Sequence, residues 1–222
     1  MIVQKPEQFT IIGENIHATR VVLRNGRRAV TLDDGTEAVP FKGESGEQRY
    51  LTVPQWFKET QPYEQGQIKH FLIAMMKGIR GDPKEEEEGR AYVQYEAMRQ
   101  AGAGAQYLDI NVDEVHYEVD IQKKCMEWTV RVVQEVSPIP PSIDSSLVEV
   151  IEVGLKAYDG RAGRPLVNSV AFERLPALDM AIDHDAKIIV MATSPTGMPT
   201  NTEERVENIN GIMEHVQARG VQ

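Results

Sequence analysis

The 222-residue sequence has a single cysteine, Cys125, so neither an intramolecular disulfide nor a thiolate metal cage is available to it. That suits a reducing compartment. No apolar run approaches the ~18 residues of a membrane-spanning helix, and Met1 to Glu7 lacks the basic-then-apolar order of a secretion signal. A soluble, cytoplasmic protein is expected. Positive charge is short as well: 24 Lys and Arg against 34 Asp and Glu leave a formal net charge of −10. Nucleic acid and anionic membranes both require a positive field, so neither is expected as a partner. The excess acid reads as a solubilising surface before it reads as a docking face. Low-complexity segments are missing too, and the one internal regularity is an alternation of strand-like and helix-like stretches.

That alternation is the main signal. With 41% hydrophobic residues the chain can bury a substantial core, as one domain or as a domain plus one excursion. Phe9-Thr10-Ile11-Ile12-Gly13 is a short apolar run closed by glycine, the pattern of a buried parallel strand, with Glu14-Asn15-Ile16-His17 behind it. Three later segments each set a polar residue in or just past such a run: Tyr107-Leu108-Asp109-Ile110-Asn111, Pro141-Ser142-Ile143-Asp144 and Leu166-Val167-Asn168-Ser169. They recur at roughly 25–35 residues, about one unit of a barrel that fits eight strand-plus-helix units into ~250 residues. Lys187 to Thr193 supplies a fifth strand.

Helical periodicity fills the intervals. Tyr63 to Gly81 places Ile68, Leu72, Met75, Met76 and Ile79 on one face, and Lys84 to Gly102 opens with Pro83 and the acidic run Glu85 to Glu88, read as a solvated first turn. Val115 to Val136 carries Cys125, Trp128 and Val132 along one side, which makes Cys125 a small core hydrophobe and not a nucleophile. Leu147, Val150, Ile151, Gly154 and Leu155 mark the packed face of the next helix, and a short helix runs through Leu178 and Ile182. Thr200 and Glu203 fit a capping box that opens a last helix with Val206, Ile209, Met213 and Val216 inward. Thr19 to Pro62 breaks the rhythm: Asn25-Gly26 between β-prone flanks predicts a hairpin and Asp33-Asp34-Gly35 a second turn, so this stretch reads as a β-rich excursion after the first strand. The expected fold class is therefore α/β, a TIM (β/α)8 barrel that is incomplete, with about five βα units and residues 1–222 forming one portion of a longer barrel. An open five-stranded sheet is the alternative, burdened by exposed edges.

Barrels place their chemistry at the carboxyl ends of the strands. Asp109, Asn111, Asp144 and Asn168 would then share one rim, as short polar side chains rooted on strands and aimed at a common pocket. Such a set suits a flat heterocycle. A carboxylate accepts two parallel N–H bonds from an amino-pyrimidine, and a carboxamide supplies both a donor and an acceptor. Each charge-assisted bond is worth ~1.5–3 kcal/mol, so two or three decide how a ligand lies. The competing use of these residues is structural, because Asp and Asn at strand ends cap the following helix, and Asp144 before Ser145-Ser146 fits that pattern. His17 is tempting as an acid, but a lone histidine in such a place more often caps or packs. His70, His116, His184 and His215 show no paired ligand spacing, so no metal site is expected.

The ordered set Ile11-Ile12-Gly13-Glu14-Asn15-Ile16, Gly104 through Val112, Ser142-Ile143-Asp144-Ser145, and Val167-Asn168-Ser169 with Glu173-Arg174 resembles the pterin-binding family. Within it, the likeness is to methyltetrahydrofolate:corrinoid methyltransferases, including the folate domain of cobalamin-dependent methionine synthase. Met126-Glu127-Trp128 followed by Val133 to Ser137 is similar to the second helix of those methyltransferases. The resemblance implies an enzyme that binds tetrahydrofolate or methyltetrahydrofolate and moves the N5 methyl group to or from a cobalamin or other corrinoid held by a separate protein. It implies that Asp144 binds the pyrimidine edge and that Asn168 hydrogen-bonds near the bridging nitrogen and donates to N5 during catalysis. Asp109, Asn111, Glu14 and Asn15 would line the pocket, and the chain itself would hold no metal. The family's further pterin-binding carboxylate follows a sixth strand, which lies outside this sequence. A dihydropteroate synthase-like enzyme, needing a basic residue late in the barrel, is the alternative, and a non-catalytic folate-binding fragment is another. The excursion would cover the pterin or dock the corrinoid protein, or be plain decoration; a homodimer is left open.

Overall fold

A computed structural model describes residues 9–195 and 197–220. Its first strand, β1 (Ile12–His17), starts three residues later than the apolar run Phe9 to Gly13. Pairing decides the shift. Ile12 stands opposite Tyr107 and His17 opposite Asn111, with a bulge between Gly13 and Ile16. Burial therefore goes to Ile16 and Ala18, while Phe9 and Ile11 stay exposed.

The excursion follows as β2 (Val22–Leu23), β3 (Val30–Thr31), β4 (Glu37–Lys42), β5 (Gln48–Thr52), the single turns α1 (Gln55–Lys58) and α2 (Gln61–Glu64), and β6 (Gln67–Ile68). Asn25-Gly26 turns the chain without forming the expected hairpin: β2 pairs with β6, and β3 pairs with β4. The true hairpin turns lie at Asp33-Asp34-Gly35 and at residues 43–46, where Gly35 and Gly46 take φ of +84° and +82°, a region glycine enters without steric cost. The β2–β6 pair also splits the helix expected over Tyr63 to Gly81. Gly66 turns the chain, Ile68 joins a strand, and the helix proper is α3 (His70–Arg80). It is followed by α4 (Pro83–Gly102), N-capped by Asp82, whose carboxylate accepts from the Lys84 and Glu85 amides. Phe41 of β4 packs edge-on against Tyr92 of α4, with ring centroids 5.2 Å apart, and joins the excursion to the main core.

From there strand and helix alternate: β7 (Tyr107–Asn111), α5 (Val119–Gln134), β8 (Pro141–Asp144), α6 (Val148–Ala157), β9 (Leu166–Val170), a 3₁₀ turn at Phe172–Arg174, α7 (Pro176–Asp183), β10 (Lys187–Val190) and α8 (Thr202–Ala218). The five long-range strands form one parallel sheet in sequence order, β1-β7-β8-β9-β10. Order is informative here. A doubly wound sheet reverses at a switch point, whereas an unreversed order with right-handed crossovers sends every helix to one face, as in a (β/α)8 barrel. Among the described residues, β1 and β10 do not pair with each other, so the sheet does not close into a barrel, although Asp109, Asn111 and Ser142 on its other face are buried.

The helix-facing side is apolar and tight. Leu108, Ile110, Ile143 and Val167 are fully buried, each contributing ~1.5–3 kcal/mol relative to exposure. A Cβ on Gly154 would stand 2.7 Å from Ile143 Cγ2, so α6 seats on β8 only because that position is bare, and β8 is the strand that carries Asp144. Cys125 lies in the same layer, and burial pushes its thiol up to about 12, as expected of a core side chain. At the last helix the expected cap and face both shift. Asn201 is the N-cap, accepting from the Glu204 amide at 2.8 Å, and the buried positions are Ile212 and Val216, with Val206 and Met213 exposed. Gly211 explains the rotation, because it lets α8 settle on the Phe172 ring where a Cβ would meet it at 2.7 Å. Among the described residues no helix is long and apolar enough to cross a membrane.

Candidate functional site

Parallel strands in register carry rows of side chains, and alternate residues of each strand share a face. One row crosses four strands: His17 stands opposite Asn111, Asn111 opposite Asp144, and Asp144 opposite Asn168. The row beneath it places Asp109 opposite Ser142. Leu108, Ile110, Ile143 and Val167 occupy the intervening positions and point to the helices. The sequence-predicted Asp109, Asn111, Asp144 and Asn168 are thus gathered on the open face of the sheet, next to two residues that sequence reasoning did not assign to the site, His17 and Ser142.

The polar groups bind one another. Asn111 Nδ2 donates to Asp144 Oδ2 at 2.8 Å, Ser142 Oγ donates to Asp109 Oδ1 at 2.6 Å, and Asn168 Nδ2 donates to the same oxygen at 3.2 Å. His17 Nε2 stands 4.0 Å from Asp144 Oδ2. Both carboxylates are thus served by neutral donors, and among the described residues no Lys or Arg hydrogen-bonds to either. The electrostatic consequence follows directly. Burial and then the nearby Asp109 push the Asp144 carboxyl up to about 7, against the Asn111 bond. Burial also raises Asp109, against the bonds from Ser142 and Asn168. His17 moves the other way, because burial disfavours its cation and holds it below the ordinary imidazole value.

Two further groups brace the rim. Asp113 accepts from Ser145 Oγ at 2.5 Å and from the Ser146 amide at 2.8 Å, so it ties the end of β7 to the loop after β8. Arg174 donates to the Ser145 carbonyl at 2.7 Å and to Ser169 Oγ at 2.9 Å, which ties that loop to β9. Glu14 and Asn15 lie in the β1 bulge. Glu14 is exposed and receives Arg20 at its carbonyl and its carboxylate, and the Asn15 amide donates to Gln100 Oε1.

The capping explanation for the strand-end residues does not hold. The N-caps of α5 and α6 are Glu118 and Leu147, neither with a side-chain cap bond, so Asn111 and Asp144 are not spent on helix termini. Ser142 was discoverable from the parity of the strand, since it sits two residues before Asp144 and must share its face. Elsewhere a groove of about 980 Å³, lined by Lys42, Arg49, Glu87, Arg90, Tyr95 and Glu135 among others, runs between the β4–β5 hairpin and α4. It mixes both signs of charge and contains none of the row. Among the described residues no three His, Cys, Asp or Glu side chains gather as metal ligands.

Two similarities bear on this face. The family model described as "Pterin binding enzyme" matches residues 86–221, which include β7 through α8 and leave out β1 and the excursion. A methylcorrinoid:tetrahydrofolate methyltransferase of Eubacterium limosum is 31% identical over 139 residues, covering 60% of this chain and 48% of that protein. The alignment thus spans about half the length of this curated relative.

Proposed function

The chain belongs to the pterin-binding enzymes, and on that premise we propose that its open sheet face binds the pterin of tetrahydrofolate or methyltetrahydrofolate for transfer of the N5 methyl group to or from a corrinoid protein. The observation that carries the proposal is the row Asn111–Asp144–Asn168 with Asp109 beneath it. A carboxyl pushed up to about 7 by burial and the nearby Asp109, with the Arg174 charge opposing that rise but no Lys or Arg hydrogen-bonded to it among the described residues, gains from a ligand that brings two N–H donors. The pyrimidine edge of a pterin brings two, at N3 and the 2-amino group, and Asp144 accepts both.

Methyl transfer away from folate breaks the N5–carbon bond and leaves its electron pair on N5, while the carbon bonds to an electron pair on the acceptor. The corrinoid supplies that acceptor as reduced cobalt when its protein docks. N5 takes up one proton from solvent in the balance, and it is a poor leaving group until it carries that proton or an equivalent hydrogen bond. Asn168 fits the need. One N–H of its amide is held by Asp109, which fixes the amide plane and leaves the second N–H to donate toward N5 as charge changes there. Asn111 holds Asp144 in place for the pyrimidine edge, and Ser142 does the same for Asp109. The relative from Eubacterium limosum, named for exchange between methylcorrinoid and tetrahydrofolate, supports this reaction class over dihydropteroate synthesis.

The test is Asn168→Ala. Calorimetric titration with methyltetrahydrofolate is expected to show binding within about tenfold of wild type, while methyl transfer to reduced cobalamin falls about 100-fold, the scale for loss of one aimed donor. Unchanged transfer would overturn the role of Asn168. A wild-type protein that binds methyltetrahydrofolate but never transfers its methyl group would leave a binding module without turnover.

A further inference from the structure

The strand beside Asn168 ends in a hollow that methyl transfer itself does not use. Ile188 and Val190 of β10 pack on the core, so Ile189, which stands opposite Asn168, and Met191 share the polar face. Just past the strand, a hollow of about 230 Å³ is lined by Met191, Ala192, Thr193, Met198, Pro199 and Arg205. Its frame is held in place. Asn208 Nδ2 donates to the Ala192 carbonyl at 2.9 Å, Thr193 Oγ1 donates to Glu173 Oε2 at 3.3 Å, and an Arg174 N–H group lies 3.7 Å from Met191 Sδ. The lining is mainly apolar, yet Met198 is 72% exposed. Arg205 is exposed as well, and among the described residues its guanidinium has no ion-pair or hydrogen-bond partner.

The shape of folate leads to this hollow. With Asp144 of β8 on N3–H and the 2-amino group, and Asn168 of β9 facing N5, the long side of the ring that carries N5 lies toward β9. C6 adjoins N5 and bears the folate side chain, which therefore leaves the ring on the side where β10 follows. One strand spacing and two residues of rise separate Asn168 from Met191, roughly 8 Å, a gap that the two-atom bridge and its aminobenzoyl ring can cross. A cavity of about 150 Å³ suffices for a benzene ring, and thioethers make favourable contacts with aromatic edges. Resting on the reading that Asp144 and Asn168 orient the pterin, we infer that this hollow is a subsite for the folate side chain, with Met191, Met198 and Pro199 against the aminobenzoyl ring and Arg205 meeting a carboxylate of the glutamate beyond it. The subsite selects a complete folate over a bare pterin.

Titration calorimetry tests this with wild type, Met198→Asp, Arg205→Gln and Arg205→Lys against tetrahydrofolate and 6-methyltetrahydropterin, which share the ring and differ only in the group at C6. Wild type is expected to bind tetrahydrofolate at least about tenfold more tightly, the scale of burying part of an aromatic ring. Met198→Asp should remove most of that advantage, because it takes away one wall and sets a carboxylate against the tail. Arg205→Gln should weaken tetrahydrofolate about threefold, the scale of one exposed ion pair, with the loss erased in ~0.5 M salt, and Arg205→Lys should retain most of the affinity. In all three variants 6-methyltetrahydropterin should bind as it does to wild type. Equal affinity of wild type for the two ligands, variants that leave tetrahydrofolate unaffected, or variants that weaken both ligands alike would overturn the subsite while leaving the pterin reading intact. Binding of neither ligand by wild type would instead overturn that reading.

Discussion

Two regions of this molecule bury carboxylates, and they do so in opposite ways. Within the excursion and along its seam with the α3–α4 layer, Glu37, Glu88 and Glu96 each have a cation. Glu96 receives Arg28 at 3.0 Å and Arg99 at 2.6 Å, Glu88 receives Lys77 and the Thr52 hydroxyl, and Glu37 receives Arg24 at 2.8 Å together with Tyr63. On the open face of the sheet, Asp109 and Asp144 have serine, asparagine and a neutral histidine. The titration behaviour divides accordingly. Burial alone would raise the Glu37 carboxyl, yet Arg24, Tyr63 and Lys58 hold it below the usual range, whereas Asp144 is driven up. Acids completed by protein cations hold the structure together. On the proposed function, acids left with neutral donors are the ones that would take a ligand supplying its own N–H groups.

That division can be broken experimentally. The largest effect is expected at Glu88, because Lys77 is only 2% exposed and would be left as an unpaired buried charge. Glu88→Ala should cost about 3–5 kcal/mol in urea unfolding, with the pterin affinity of the folded protein unchanged. A loss of pterin affinity larger than the loss of stability would join the two regions and erase the distinction. The smallest effect is expected at the rim of the same seam. Arg49 and Glu87 pair at 3.2 Å with Glu87 mostly exposed, so Arg49→Gln should change unfolding by less than about 1 kcal/mol. A cost approaching that of Glu88→Ala would mean that burial does not govern these pairs.

The open face was legible in the sequence because its signal is strong and local. Asp109 and Asn111 interrupt an apolar strand at alternate positions, and Asp144 and Asn168 follow apolar runs of the same kind. The family likeness rested on those residues together with Ile11 to Ile16, and the match over 86–221 covers the four but not the first-strand segment. The excursion was less legible, since β2, β3 and β6 are two residues each and carry no periodicity from which to read a partner. Asn25-Gly26 is a sound turn signal, but which strands it joins depends on Ile68, more than 40 residues away. The acidic run in the first turns of α4 hid a similar long-range fact: Glu88 belongs to Lys77 and Thr52, not to solvent. The place of His17 in the polar row and the inward face of α8 escaped for one reason. Each is set by a contact made in three dimensions, the register with Asn111 and the seat of Gly211 on Phe172.

The central claim is that Asp144 exchanges a proton for a pterin. Groups facing it are Asp109, Asn111, Asp113, His17 and Arg174, of which Asp109 is itself raised by burial. Ligand N–H donors favour the ionised carboxylate, so binding competes with protonation below the value of about 7. The decisive measurement is the affinity for methyltetrahydrofolate by titration calorimetry, from about pH 5.5 to 8.5, for wild type and Asp144→Asn. Wild-type affinity should be level above about pH 7 and fall about tenfold per unit below it, while Asp144→Asn binds about 100-fold more weakly at the upper end, with a flat profile. Wild-type-like affinity and the same pH dependence in Asp144→Asn would contradict the account.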